Sequence, residues 1–364
     1  MITKMNKPDF YISSQSQLDD AVTLIRQANR IAIDTEFTRR VTYYPVLSLV
    51  QIALQDDAKK QKSFIVDCVC DLDLTELFAI ISNSRIEKIF HSSRQDLQIF
   101  HYNSNAMPGA IIDTQIMANF CGFGFNAGYS SLVKKIFGRD ISKKQQNSDW
   151  QRRPLSKKQI EYAIVDVVFL EEIYERFLAL MEKNGRHQWY CEEVKIFMEK
   201  ALLPQQENLL KNFAFKGLNS RQIAQIRNLV FWRENQAKKT NVPRKHFLSD
   251  EAIGQIVRFA FVGKNLVSKL SQEALFEIEK ILASEEKFSG ETGRFFMNEM
   301  QRKYFQEAKK LIADVAAKEN FSAQFLLTSS DLTKIICEKS FFDETITGWR
   351  KEVFGKELKE IIFN

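Results

Sequence analysis

The sequence predicts an α/β domain, a mixed sheet with flanking helices, followed by all-helical domains. Three observations carry that prediction. Short β-type runs fill residues 30 to 67, strand and helix patterns interleave up to about residue 190, and only helical periodicity remains beyond residue 205. RIAIDTEF, PVLSLVQIAL and KSFIVD, separated by polar stretches, read as strands. Residues 75–82 follow as a helix, and KIFHS at 88–92 reads as a strand leading directly into a helix that begins near Ser92 or Ser93. Next come helices near 113–121 and 130–137, joined by the glycine-containing GFGFNAGYSS. That loop lacks the strand-to-helix context of a dinucleotide-binding turn and the lysine of a P-loop. Ser156 and Gln159 form a capping box that marks the start of a helix at about Lys157.

The length of 364 residues suggests two or three domains, with boundaries expected at 1–195, 205–285 and 288–364. A weak internal repeat supports two helical modules: NVPRKHFLSDEAIGQIV at 241–257 lies over NFSAQFLLTSSDLTKII at 320–336 without a gap. Hydrophobic residues make up 45% and charged residues 27%, which excludes disorder as the default. The net charge of +6 is mildly basic, so local clusters rather than the total must reveal any polyanionic partner. Five scattered cysteines, with only Cys68 and Cys70 close together, give no zinc spacing and fit a reducing compartment. No apolar run approaches the ~18 residues of a membrane span and the N-terminus has no signal-like core, so a cytoplasmic protein with no membrane partner is expected.

Three acidic motifs carry the chemistry. In RIAIDTEF, Ala32, Asp34 and Glu36 share one strand face, opposite Ile31, Ile33, Thr35 and Phe37. Two carboxylates so placed repel one another unless a cation lies between them. Asp96 of FHSSRQDLQIF falls in the first turn of a helix, a position that also suits the helix dipole alone. In IEYAIVDVVFL, Tyr162 and Asp166 are four apart and share a helix face with Phe169, Leu170 and Ile173. Hard oxygen ligands of this kind suit Mg²⁺ or Mn²⁺. Two such ions support in-line displacement at a phosphodiester. A tyrosine is a poor base at its ordinary pKa of ~10, which favours a role in orienting water.

In their order and wording these motifs resemble ribonuclease D, of the tyrosine-containing branch of the DEDD exonuclease superfamily. QQNSDWQRRPLSKKQIEYAIVDV is similar to the family well beyond its acidic residues, and IRNLVFWRENQAKKTNVPRKHFLSDEAI resembles an HRDC domain. The resemblance covers nearly the whole chain. It implies a ribonuclease H-like exonuclease domain at 1–195, an HRDC domain at 205–285 and a degenerate HRDC-like domain at 288–364. It further implies two divalent cations, Mg²⁺ or Mn²⁺, and removal of 3′-terminal nucleotides as 5′-monophosphates during tRNA 3′ maturation and processing of small structured RNAs. By position, Asp34, Glu36 and Asp166 would ligate the first metal and Asp34 would bridge to the second. Asp96 would hold the second metal through water, and Tyr162 would place the nucleophilic water.

Secondary signals surround this core. Arg39, Arg40, Tyr43 and Tyr44 follow the first acidic strand, where cations and rings can hold phosphate and stack a base. Lys143, Lys144, Arg152, Arg153, Lys157 and Lys158 crowd the capping box, and substrate contact is expected there from Arg152 and Lys158. Trp150 reads as a packing anchor and His91 as a hydrogen-bonded structural residue. In the first helical module Arg244 and Lys245 are expected to grip RNA, whereas the second copy has Ala323 and Gln324 at those places. No obligate protein partner is indicated. A DNA 3′-5′ exonuclease is the alternative, since the same carboxylates hydrolyse either polymer. A non-catalytic RNA-binding scaffold fits less well, because it needs no repulsive carboxylate cluster.

Overall fold

The computed structural model describes residues 9–55, 60–202, 209–210, 213–215, 217–260, 270–287 and 297–363. The chain divides into two units. One comprises Met1–Thr38, Val46–Leu202 and Met297–Asn364, and the other Arg39–Pro45 and Leu203–Phe296. The boundaries expected near 195–205 and 285–288 fall partly on 203–208 and 288–296, outside the described residues.

In the first unit a six-stranded mixed sheet has the order β1-β4-β3-β2-β5-β6. Its strands are β1 (Phe10–Ile12), β2 (Arg30–Thr38), β3 (Val46–Gln55), β4 (Gln61–Asp67), β5 (Glu87–Phe90) and β6 (Ile111–Asp113). Strand β2 is central, antiparallel to β3 and parallel to β5. Alternation along it sends Ile31 and Ile33 into one apolar layer and Ala32 into another. The layer beneath Ile31 and Ile33 is closed by α1 (Gln15–Ile25), α2 (Thr75–Ser82) and α3 (Arg94–Ser104). The Ala32 layer is covered by α4 (Thr114–Phe120), α5 (Tyr129–Phe137), α6 (Lys157–Val168) and α7 (Leu170–Lys183), with α8 (His187–Ala201) packed alongside. Strand β1 and helix α1 lie outside the pattern read from the sequence. None of the described helices is long and apolar enough to cross a membrane.

The apolar stripe expected to run from Tyr162 to Ile173 on one helix is broken at Phe169. The cause is a tyrosine. Tyr129 donates its hydroxyl to the Val165 carbonyl at 2.7 Å and accepts from the Phe169 N–H at 3.4 Å. It therefore stands in the backbone ladder where a Phe169-to-Val165 bond would otherwise form, and the chain turns there.

The helical tail repeats itself. Ser220–Thr240 and Glu299–Glu319 are both 21-residue helices with an Asn–Gln capping box, and each ends in a left-handed Asn, Asn241 or Asn320. A four-residue helix follows each, Arg244–Phe247 and Ala323–Leu326, and then a capped helix, Asp250–Phe259 and Ser329–Cys337. The two copies have different surroundings. In the second unit Leu229, Val230, Ile253, Ile256 and Ile278 form a core of their own. The later copy shares the first unit's core: Phe120 meets Phe325 at 4.9 Å and Trp349 at 5.4 Å, and Arg186 pairs with Glu319 at 3.2 Å.

Candidate active site

The site lies where β2, α3 and α6 converge. Asp34 and Glu36 follow Ala32 on the β2 face that looks toward α6, and their strand partners are Gln51 and Leu49 of β3. Helix α6, begun by the Ser156–Gln159 capping box, brings Tyr162 and Asp166 to the same place one turn apart. Asp34, Glu36 and Asp166 each offer an oxygen within 4.8 Å of the other two. The Tyr162 hydroxyl hydrogen-bonds Asp166.

Asp96 arrives from the opposite layer, on the first turn of α3. Thr35, whose side chain points away from Asp34 and Glu36, donates its hydroxyl to the Asp96 carboxylate. The turn into α3 is held by Asp113. Its carboxylate, 1% exposed, accepts from the N–H of Ser92 and Ser93 and from the Ser93 hydroxyl. The same carboxylate caps α4 through the N–H groups of Gln115 and Ile116. Ser92 itself adopts a left-handed φ of 65°. Thr35 and Asp113 thus place a site carboxylate, although neither is among the acidic residues read from the sequence as ligands.

These carboxylates make a cavity of about 490 Å³ whose wall includes Asp34, Glu36, Asp96, Tyr162 and Asp166. Burial, and then the charges of Asp96, Asp166 and Glu36, holds Asp34 well above the usual carboxylate range. Burial and the charges of Asp166 and Asp96 push Glu36 up to about 9. Burial raises Asp96 to about 7 against the opposing Thr35 bond, and Asp166 to about 7 against the bond from Tyr162. Tyr162 is raised by burial and by Asp166, Glu36 and Asp34, so its hydroxyl keeps its proton. Three carboxylates with convergent oxygens, Glu36 buried and Asp34 and Asp166 half-buried, are a donor set for a hard divalent cation, whose charge would favour their ionised forms.

Other residues also line the cavity. His91, bonded through Nδ1 to the Thr114 hydroxyl at 2.9 Å, stands beside Tyr129. Lys143, Gln146 and Asn147 come from the loop that precedes Trp150. Gln51, opposite Asp34 across the strand pair, is fully buried, and neither end of its amide has a hydrogen-bond partner among the described residues.

The residues expected to touch substrate are distributed differently. Arg152 and Lys158 are exposed in the first unit and are not among the cavity-lining residues. In the second unit Tyr43 donates its hydroxyl to Glu234, and the N–H groups of Tyr43 and Tyr44 go to Asn241 at 3.2 and 3.0 Å. Arg244 pairs with Glu234 at 3.1 Å, and Arg39 and Lys245 are exposed.

Comparison with known proteins agrees with this geometry. A family model described as 3′-5′ exonuclease matches residues 10–182. Ribonuclease D of Gluconacetobacter diazotrophicus is 30% identical over 98% of this chain and 93% of the relative. Ribonuclease D of Acidiphilium cryptum is 30% identical over 90% and 86%. The crystal structure of Escherichia coli RNase D, an exoribonuclease involved in structured RNA processing, is 24% identical. It shares the fold with a TM-score of 0.81 over 97% of this chain and 98% of that one. With relatives matched along nearly their whole length and the exonuclease fold in place, the chain belongs to the ribonuclease D family and is a hydrolytic 3′-5′ exoribonuclease.

Proposed function

We propose that the enzyme removes 3′-terminal nucleotides one at a time as 5′-monophosphates from tRNA precursors and other small structured RNAs in the cytoplasm. The observation that carries the reading is the convergence of Asp34, Glu36 and Asp166 within 4.8 Å in the wall of a cavity also lined by Asp96 and Tyr162. Asp34, Glu36 and Asp166 would hold one Mg²⁺ or Mn²⁺, and Asp34 and Asp96 a second. When bound, such ions supply positive charge for activating water and stabilising the leaving 3′-oxygen. Tyr162 keeps its proton, so it orients the attacking water by hydrogen bonding instead of removing a proton from it. Thr35 fixes the Asp96 carboxylate, an arrangement that keeps a ligand in place while substrate comes and goes.

One assay tests this reading. A 3′-extended tRNA and a matched single-stranded DNA are incubated with Mg²⁺ or Mn²⁺, beside Asp34→Ala and chelator controls. Stepwise release of 5′-monophosphates from the RNA, lost in both controls, is expected. Release that survives Asp34→Ala or chelation overturns the mechanism, and faster loss from the DNA overturns the substrate assignment.

A further inference from the structure

Arg152 and Arg153 are neighbours in SDWQRRPL, yet Arg152 is exposed and Arg153 half-buried. The Arg153 guanidinium turns inward to Asp67, the last residue of β4. Asp67 is 1% exposed. It accepts from Arg153 Nε at 2.6 Å, from Arg153 Nη2, from the Tyr11 hydroxyl at 2.6 Å and from the Val69 N–H at 3.1 Å. Arg153 also donates to the Trp150 carbonyl at 2.7 Å and to the Ser48 carbonyl of β3 at 3.3 Å. Gln151 adds a bond to the Ser48 hydroxyl. With its donors committed in this way, the guanidinium has no open fork to present to a phosphate.

The turn so anchored carries Trp150. That indole is 2% exposed and its ring lies 6.0 Å from the ring of Tyr162. Trp150 Nε1 has no hydrogen-bond partner among the described residues, so packing and the backbone bond to Arg153 orient the ring. Upstream of Trp150 in the sequence, Gln146 and Asn147 form part of the cavity wall, as does Tyr162. Downstream, Gln159 of the capping box donates to the Asp149 carbonyl at 3.2 Å, tying the start of α6 to the same turn.

We infer that Arg153 is a positioning residue for catalysis: its ion pair with buried Asp67 seats Trp150 against Tyr162 and thereby sets where the Tyr162 hydroxyl points. The inference rests on the role proposed above for Tyr162. Arg153→Gln removes the bidentate pair, and Arg153→Lys keeps the charge but not the fork. Trp150→Phe retains an aromatic packer and reports on the same path should Arg153→Gln fold poorly.

The test is a set of kinetic cycles with a short single-stranded RNA, together with calorimetric Mn²⁺ binding in the absence of substrate. Arg153→Gln and Trp150→Phe are expected to lower kcat about 10- to 100-fold, as loss of supporting contacts does. KM should stay within about twofold and Mn²⁺ affinity within about threefold on the same grounds, since no metal ligand is removed. The decisive arm is Tyr162→Phe: adding Arg153→Gln to it should cost little further, because the path it acts through is already cut. Independent, additive losses would overturn the proposal. A defect confined to KM would also overturn it, making Arg153 a substrate contact. If Tyr162→Phe alone keeps full kcat, the assignment of Tyr162 is wrong and the positioning role falls with it. If Tyr162→Phe is impaired while Arg153→Gln, Arg153→Lys and Trp150→Phe all retain kcat, only the positioning role fails.

Discussion

Asp34→Asn should make the metal-free protein more stable while abolishing its activity. Burial and the charges of Asp96, Asp166 and Glu36 make Asp34 keep its proton to higher pH in the folded chain than an ordinary carboxyl does. Asp96 and Asp166 titrate at about 7 and Glu36 at about 9. In the unfolded chain such groups ionise near pH ~4. Between those limits the folded state therefore binds more protons, and stability falls as pH rises. The penalty is absent below pH ~4 and complete only above the folded values. Each retained proton contributes a slope of about 1.4 kcal/mol per pH unit. Asparagine preserves the shape of Asp34 and removes one such proton-binding group. The gain grows by up to about 1.4 kcal/mol for each pH unit over which the folded chain keeps this proton and the unfolded chain has lost it. Each kcal/mol corresponds to roughly 2–4 °C in Tm for a unit of this size. Differential scanning calorimetry in EDTA at pH 5, 6, 7 and 8 would measure it. The difference should be smallest at pH 5 and grow with pH, and Mn²⁺ should raise the Tm of the parent but not of the variant. A variant less stable than its parent at pH 7, or a difference that does not change with pH, would refute the electrostatic account of the site.

The same geometry makes other predictions. Mn²⁺ must displace protons from Asp96, Asp166 and Glu36, so its affinity should rise as pH climbs through about 7 and level off above about 9. Calorimetry in buffers of different ionisation enthalpy would show the released protons, and a pH-independent affinity would contradict the prediction. Thr35→Val removes the hydroxyl that orients Asp96 and should weaken metal binding or activity about 10- to 100-fold at nearly unchanged side-chain volume; wild-type metal titrations would discount that bond. Tyr162→Phe should lower kcat at least about tenfold with little change in KM, measured under single-turnover conditions. Trp349→Ala empties a site that is 1% exposed beside Phe120, Phe321 and Phe325, and should cost about 3–5 kcal/mol of stability. A calorimetric loss under about 1 kcal/mol would mean that the later helical copy does not support the first unit's core.

How far the site could be read from the sequence depended on the range of the interaction involved. The phase of β2 put Asp34 and Glu36 on one face because side chains alternate along a strand, a rule that needs no partner. The start of α6 was legible because its capping box closes within three residues. The bond from Thr35 to Asp96 spans 61 positions and starts from the face opposite the acidic pair, so strand phase points away from it. The break after α6 comes from Tyr129, 36 positions before Val165, and no local signal at Phe169 announces it. Arg152 and Arg153 have the same local composition. One is exposed and the other half-buried and paired with Asp67, 86 positions away, because only one of them faces the sheet.

By itself, then, the sequence determined the strand carrying Asp34 and Glu36, the helix carrying Tyr162 and Asp166, and the kind of cation their oxygens suit. Each of these follows from backbone periodicity, local capping or ligand chemistry. Only the tertiary structure decided that Asp96 is steered by Thr35 and Asp113 and that Arg153 braces the turn beside Tyr162. It alone also showed that the later helical copy shares the core of the catalytic unit. Those outcomes depend on which groups meet after the chain has crossed between layers, and burial makes each such meeting energetically decisive: a polar group without its partner there costs more than most single contacts contribute.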